Sequence, residues 1–276
     1  MTVQGSSKPA DRNVVLAGLR MDRPTPARMY DYFLGGKDNF QVDRDAADQL
    51  DEAAGRGTTF TVAWENRRFL QRAVACLAEA GIDQFVDIGA GLPTRGNVHE
   101  IAQRVNPAAR VAYADNDPIV LSHGRALLAD GKTTNVFTGD MREPQAILTA
   151  PGLAGLIDFS RPVAVLLVAV LHFVRDEEDP YGIVGTFRDA MAPGSYLVLS
   201  HATTDGPSAE LLARNEEVYE RSTSPSRPRS RDEIARFFDG LDLLEPGLVR
   251  PGRWRPGSGQ EAVTHFMYAG VGTKTA

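Results

Sequence analysis

The sequence predicts an α/β fold in which a mostly parallel, seven-stranded sheet carries helices on both faces and is preceded by a helical N-terminal segment. Three observations predict it. After Gly81 the chain alternates strand-like and helix-like stretches, the pattern of parallel sheets with crossover helices. Val163 to Leu171 is a continuous apolar run, as expected of a central strand buried on both faces, and too short to span a bilayer. The strand-like stretch Gln84–Ile88 runs directly into Gly89-Ala90-Gly91, a backbone that can turn hard and lie close to a ligand.

The elements follow in order. Residues 1–23 mix Ser, Gly, Pro and charge and read as a flexible arm, with a short turn over Val14–Leu19. Residues 24–80 read as an N-terminal helical lid and 81–276 as the core. Within the lid, an aromatic and glycine-rich stretch precedes a helix over Val42–Leu50, and Gly55-Arg56-Gly57 breaks the chain. Val62–Ala80 has Phe69, Leu70, Ala73, Val74 and Leu77 at helical spacing, with Cys76 as a packing residue. In the core, Asn97-Val98-His99-Glu100 is a capping box. Arg110–Ala114 is the second strand, and Asp117-Pro118 caps the next helix. Asn135–Thr138 and Val163–Val168 are strands three and four. A helix over Pro180–Met191 leads to strand five, Tyr196–Ser200. Ala209–Arg221 is helical, Ser224–Arg231 reads as a solvated linker, and Ser230 to Glu233 is another capping box. Leu241–Val249 and His265–Val271 read as two closing strands, and Trp254 with Arg253 and Arg255 as surface packing.

The chain has 276 residues, a net charge of −6 and one cysteine. The acidic balance argues against a general nucleic-acid partner, and a lone cysteine excludes an internal disulfide or a multi-cysteine zinc site. No apolar stretch follows Lys8 to make a secretory signal, so the expectation is a cytoplasmic protein without a membrane partner. Oligomeric state is not legible, and a homo-oligomer stays open.

The glycine turn does not have the dinucleotide spacing, because Gly96 falls too late for the third glycine. Asp87, two residues before Gly89, would repel a pyrophosphate and suits a cationic ammonium or sulfonium ligand. Asp115 ends strand two, 24 residues after Gly91, where an acid can hold ribose hydroxyls. Asp117 reads as a helix cap. Asp140, in Thr138-Gly139-Asp140-Met141, can accept from an exocyclic amine such as adenine N6. All three acids fall at the carboxyl ends of parallel strands, where open α/β sheets bind ligands.

These residues carry a resemblance. The stretches ARMYDYFLGGKDNFQVDRDAAD, NRRFLQRAV, GIDQFVDIGAGLPTRGNVHEIAQ, YADNDPIVLSHGRALL and FTGDMREPQAIL resemble a family of actinobacterial S-adenosyl methyltransferases first grouped as a domain of unknown function. The likeness continues through AVLHFVRDEEDPYGIV and MAPGSYLVLSH, and spans roughly residues 25–270. It implies a Rossmann-like class I methyltransferase fold with S-adenosyl-L-methionine as cofactor. Carried over by position, Gly89 and Gly91 would line the methionine portion and Asp87 would hold its ammonium. Asp115 would take the ribose, Asn116 would lie beside the adenine, Asp140 would take N6, and the Met141 amide would reach N1. Val168 and Ala169 would border the cofactor. Leu92-Pro93 departs from the class, and Pro93 cannot donate a hydrogen bond, so the carboxylate contact falls to Arg28, Lys37 or Arg67.

In the lid, Tyr30 and Asp31 are candidates to touch the cofactor, and Asn39 or Asn66 to bind polar ligand atoms. His172 and His201 follow strands four and five and are the candidates for a general base toward a hydroxyl acceptor. His99, His123 and His265 read as structural. His172 with Asp176 has no further ligands around it, so no metal site is expected. The expected activity is methylation of a small-molecule acceptor. The competing expectation is a non-catalytic regulator that binds S-adenosylmethionine or S-adenosylhomocysteine.

Overall fold

The computed structural model describes residues 21–94, 96–257 and 264–275; the turn expected at Val14–Leu19 lies outside them. Three helices come first: α1 (Pro26–Phe33), α2 (Gln41–Ala54) and α3 (Thr58–Glu79). Helix α1 was not anticipated as a helix. Its cap explains it: the Thr25 side chain accepts from the Arg28 amide, and Pro26 stands at the first helical position. The Arg28 guanidinium, 1 % exposed, then pairs with Asp43 of α2 at 2.8 Å and fixes the two helices together.

The strands are β1 (Gln84–Ile88), β2 (Arg110–Asp115), β3 (Thr134–Thr138), β4 (Ala164–Val168), β5 (Tyr196–Ala202), β6 (Asp242–Leu243) and β7 (Met267–Thr273). They form one seven-stranded sheet in the order β3-β2-β1-β4-β5-β7-β6. β1 to β5 pair in parallel, and β7 lies antiparallel between β5 and β6. Strand order reverses between β1 and β4, so a crevice opens at their carboxyl ends. The helices between strands are α4 (Val98–Val105), α5 (Pro118–Leu127), α6 (Pro144–Leu148), α7 (Pro151–Ala154), α8 (Pro180–Ala190), α9 (Ala209–Glu220) and α10 (Arg231–Ala235). The short α6 and α7 carry too little periodicity to be read from sequence.

Alternation along the strands divides two cores. Val86, Ile88, Val165, Leu167, Leu197 and Leu199 face one side, with Ile183, Val184 and Phe187 of α8. Phe85, Val111, Ala164, Leu166 and Val198 face the other, with Phe69, Ala73 and Leu77 of α3 and Ile101 of α4. Helix α3 therefore has two roles. Its second half belongs to the sheet's core, while Ala63 in its first half packs with Met29 and Phe33 of α1, Leu50 of α2 and Val218 of α9.

Three expectations are corrected. Leu241–Val249 is not one strand: β6 covers two residues, the chain turns through Pro246 and Gly247 (φ +83°), and Val249 rejoins β7 by a single bridge to Ala269. Proline supplies no amide hydrogen and cannot continue the ladder. Trp254 is no surface residue; it is fully buried edge-on to Phe69, ring centroids 5.5 Å apart. Nor is Ser224–Arg231 only a solvated linker, because Arg229 is fully buried.

Candidate active site

A cavity of about 270 Å³ lies between the carboxyl ends of β1–β5 and the helices α1–α3 and α9. Asp87, Gly89, Gly91, Asp115, Asn116, Asp140, Met141, Val168, Ala169 and Tyr30 all line it, so most of the residues anticipated for a cofactor meet around one cavity.

The turn after β1 explains its glycines. Gly89 has φ +71°, and a Cβ there would stand 2.3 Å from Val170 Cγ2. Any larger residue would have to push the β4 loop aside. Gly91, also left-handed at φ +67°, donates its N–H to Asp115 Oδ2 at 2.9 Å, and Asp115 Oδ1 accepts from the Asp117 amide at 2.8 Å. Asp115 thus ties the glycine turn to the start of α5, where Asp117 caps the helix by accepting from the Ile119 amide. Leu92 is spent on a small apolar cluster with Ile119 and Val120.

Two carboxylates in this wall are buried. Burial, opposed by Arg67 and reinforced by the nearby Asp115, pushes Asp87 up to about 7. Burial likewise lifts Asp115 to about 6, against the amides that hydrogen-bond it. Asp140 goes the other way. It accepts from the Asn116 side chain at 2.9 Å and from the Arg142 amide and guanidinium, and these hold its carboxyl below the usual range despite burial. Arg142 was not anticipated. It joins Asp140 to the segment after β4 by donating to Glu178 at 2.7 Å and to the Phe173 carbonyl at 2.7 Å. Nothing in its sequence neighbourhood marks that role, because Glu178 and Phe173 lie more than thirty residues away.

Among the three basic candidates only Arg67 reaches the cavity. It is buried, donates to Asn97 at 3.2 Å, and has no hydrogen-bond partner at Nε. Arg28 is consumed by Asp43, and Lys37 is exposed and outside the wall. An unpartnered buried N–H is costly, which makes Arg67 Nε a fitting donor for a carboxylate.

The remaining candidates divide. Asp31 does not line the cavity; it accepts from the Asp38 amide and from the Asn39 side chain at 2.7 Å, and a Cβ on Gly36 would overlap its carboxylate. Asp31 and Asn39 hold the glycine turn after α1. Asn66 does line the cavity and belongs to a hydrogen-bonded run beside it. The Ala169 amide donates to Ser200 Oγ, which donates to Asn66 Oδ1 at 2.6 Å. Asn66 Nδ2 donates to the Tyr30 hydroxyl at 2.9 Å, which in turn donates to the Ala63 carbonyl at 3.1 Å. This run joins the ends of β4 and β5 to α1 and α3.

His201 is not brought to the cavity. It is fully buried, with Nδ1 2.6 Å from the Ala202 carbonyl and Nε2 3.0 Å from Arg229 Nη1. Donation from Nδ1–H and acceptance at Nε2 leave no free lone pair, and burial with nearby His172 and Arg229 holds its pKa well below normal. The same Arg229 donates to the carbonyls of Leu171 and Val174 and pairs with Asp176 at 2.6 Å. It therefore anchors the segment that carries His172. His172 does line the cavity, but burial and Arg229 lower it to about 3, and its Nδ1 accepts from the Ala202 amide at 3.4 Å. A base that weak is poorly matched to neutral pH. Among the described residues no group of His, Cys, Asp and Glu could hold a metal ion, and no helix is long and apolar enough to cross a membrane.

The sheet order, the glycine turn and the acid-lined crevice define a Rossmann-like class I methyltransferase. Comparison with known proteins gives the family: the S-adenosyl methyltransferase family matches residues 15–275, and the chain belongs to it. It is a methyltransferase dependent on S-adenosylmethionine. Two solved structures are similar throughout. A Thermobifida fusca protein described as a candidate methyltransferase is 44 % identical, with a TM-score of 0.86 over 94 % of this chain and 98 % of its own. A DUF574 family protein from Streptomyces avermitilis is 40 % identical, with a TM-score of 0.87 over 93 % of this chain and 99 % of its own. No curated protein matches the chain.

Proposed function

We propose that the chain transfers the methyl group of S-adenosylmethionine to a small molecule held between the ends of β4 and β5 and a lid made by residues 24–80. The observation that carries this reading is the convergence, in one cavity, of the left-handed Gly89–Gly91 turn, the buried Asp87 and Asp115, and the unpartnered Arg67 Nε. In this arrangement Asp87 takes the ammonium of the donor's methionine portion and Arg67 its carboxylate. Asp115 takes the ribose hydroxyls, and Asn116, Asp140 and the Met141 amide flank the adenine, with Val168 and Ala169 along the donor.

The chemistry asks little more of the protein than alignment and exclusion of water. The acceptor's lone pair forms a bond to the methyl carbon as the carbon–sulfur pair withdraws onto sulfur, and a hydroxyl or amine acceptor then releases its proton to water. We assign His172 a hydrogen-bonding role at the acceptor and not that of a base. The run from Ala169 through Ser200, Asn66 and Tyr30 supports a lid docked on the donor-bearing strand ends.

Calorimetric titration with S-adenosylmethionine and S-adenosylhomocysteine tests the reading. Binding of both, lost in Asp115→Ala, is expected. Absence of binding at millimolar ligand overturns it. Tight binding with no methyl transfer to any component of a metabolite extract would favour the regulator instead.

A further inference from the structure

The cavity's charge is distributed unevenly. Among the described residues, its charged lining side chains are Arg67, Asp87, Asp115, Asp117, Asp140 and Arg142, all at the ends of β1–β3 or, for Arg67, within reach of Asp87. The other half, toward α1–α3, α9 and the segments at 223–228 and 266–267, is walled by Phe33, Val62, Phe173, Leu212, Tyr219 and Phe266. It holds hydroxyls, amides and the His172 imidazole as polar groups and no described carboxylate or ammonium, and the guanidiniums at its border are Arg67 of α3 and Arg142, which donates to the Phe173 carbonyl. Burial there is enough to push the Tyr219 hydroxyl up to about 12. A charged ligand entering this half would lose its hydration with little of opposite sign to replace it, because Arg67 already faces Asp87 and Arg142 is paired with Asp140 and Glu178. The aromatic side chains Phe33, Phe173, Tyr219 and Phe266 in this wall favour a ligand with a π face.

One polar group in this half has an unmet need. Asn215, on α9, lines the cavity, and its Oδ1 is shielded from solvent yet has no hydrogen-bond partner. Buried side-chain oxygens in folded proteins are nearly always paired, and an exception at a binding cavity marks a place for a ligand donor.

We infer that the methyl acceptor is an uncharged aromatic molecule carrying a hydrogen-bond donor, which Asn215 receives. This rests on the methyltransferase site proposed above. It adds the acceptor's chemical class and a specificity-determining residue on α9.

The test uses the full chain saturated with S-adenosylhomocysteine, titrated calorimetrically near neutral pH with four probes that share one ring system: naphthol, naphthoate, naphthylmethylammonium and methoxynaphthalene. Naphthol should bind at least about tenfold tighter than either ion. Methoxynaphthalene, which lacks the donor, should bind roughly five- to tenfold more weakly than naphthol. Asn215→Leu should remove that second difference, weakening naphthol and leaving methoxynaphthalene within about twofold, with homocysteine-product affinity unchanged. Equal or tighter binding of an ion overturns the inference, as does failure of naphthol to bind the loaded protein. A naphthol preference that survives Asn215→Leu overturns the role of Asn215. The comparison of probes on the unsubstituted protein stands even if the variant folds poorly. Failure of S-adenosylhomocysteine to bind in the first place would instead count against the underlying reading.

Discussion

Replacing Asp87 with asparagine should remove a pH-dependent weakness from the ligand-free protein while loosening its hold on the donor. Burial raises the Asp87 carboxyl from 3.8 to about 7. A carboxyl raised on folding binds its proton more tightly in the folded chain, so its stabilising contribution is complete below about pH 4. That contribution falls as pH rises and is lost by the folded value near 7. Between about pH 5 and pH 8 the loss is worth roughly 2–3 kcal/mol. For a chain of this size that is about 5 °C of melting temperature. Asp115 is raised in the same direction, to about 6, but it is present in both proteins and largely cancels in the comparison. The assay is thermal unfolding of the two ligand-free proteins at both pH values. Asp87→Asn should lose roughly 5 °C less than the unsubstituted chain on going from the acid to the alkaline buffer. In the same samples S-adenosylhomocysteine should bind about ten- to a hundredfold more weakly to the variant at the alkaline pH, where the ammonium loses a charged partner. An identical pH slope in the two proteins would refute the claim that Asp87 is a desolvated carboxyl. Unchanged affinity would refute its role as the ammonium's partner.

Arg67→Met should weaken S-adenosylmethionine binding by roughly tenfold or more, while the ligand-free chain loses only the Asn97 hydrogen bond and the charge beside Asp87, a cost of about 1–2 kcal/mol; calorimetry and unfolding measure the two separately. Gly89→Ala should destabilise the protein and abolish donor binding, since it adds a Cβ at φ +71° against Val170; Val170→Ala in the same chain should recover part of the stability but not the backbone strain. Arg229→Met should cost about 2–4 kcal/mol in denaturant unfolding, by stranding the buried carbonyls of Leu171 and Val174, and Arg229→Lys should rescue little because one ammonium cannot serve both carbonyls, Asp176 and His201.

Much of the donor wall was legible because its logic is local in sequence. Asp87, Gly89 and Gly91 sit on one strand and its turn, Asp115 to Asp117 on the next, and Asp140 and Met141 on the third, each at a strand end that period-two patterning locates. Parallel pairing of β1, β2 and β3 then brings the three ends side by side. Helix starts were legible for the same reason: Asn97, Asp117 and Ser230 cap within their own first turns.

Features that depend on distant partners were not legible. Asp31 and Asp87 are both acids beside glycines, yet one closes its own turn with Asn39 while the other faces the cavity. His172 follows β4 and His201 lies near the end of β5, but the T-shaped approach of the two rings and the reach of Arg229 across from the 222–231 segment leave only the first at the wall. Arg142 and Asn215 carry no local mark at all. By itself the chain's pattern of apolar periods, caps and glycines located the five parallel strands and the acids near their ends, because those are short-range consequences of backbone geometry, while the donor came from the family resemblance. The strand order, the antiparallel β7 and the wall that α9 and α1–α3 give the cavity were decided only when those elements packed together, since burial and the absence of a partner are properties of the assembled volume and not of any segment.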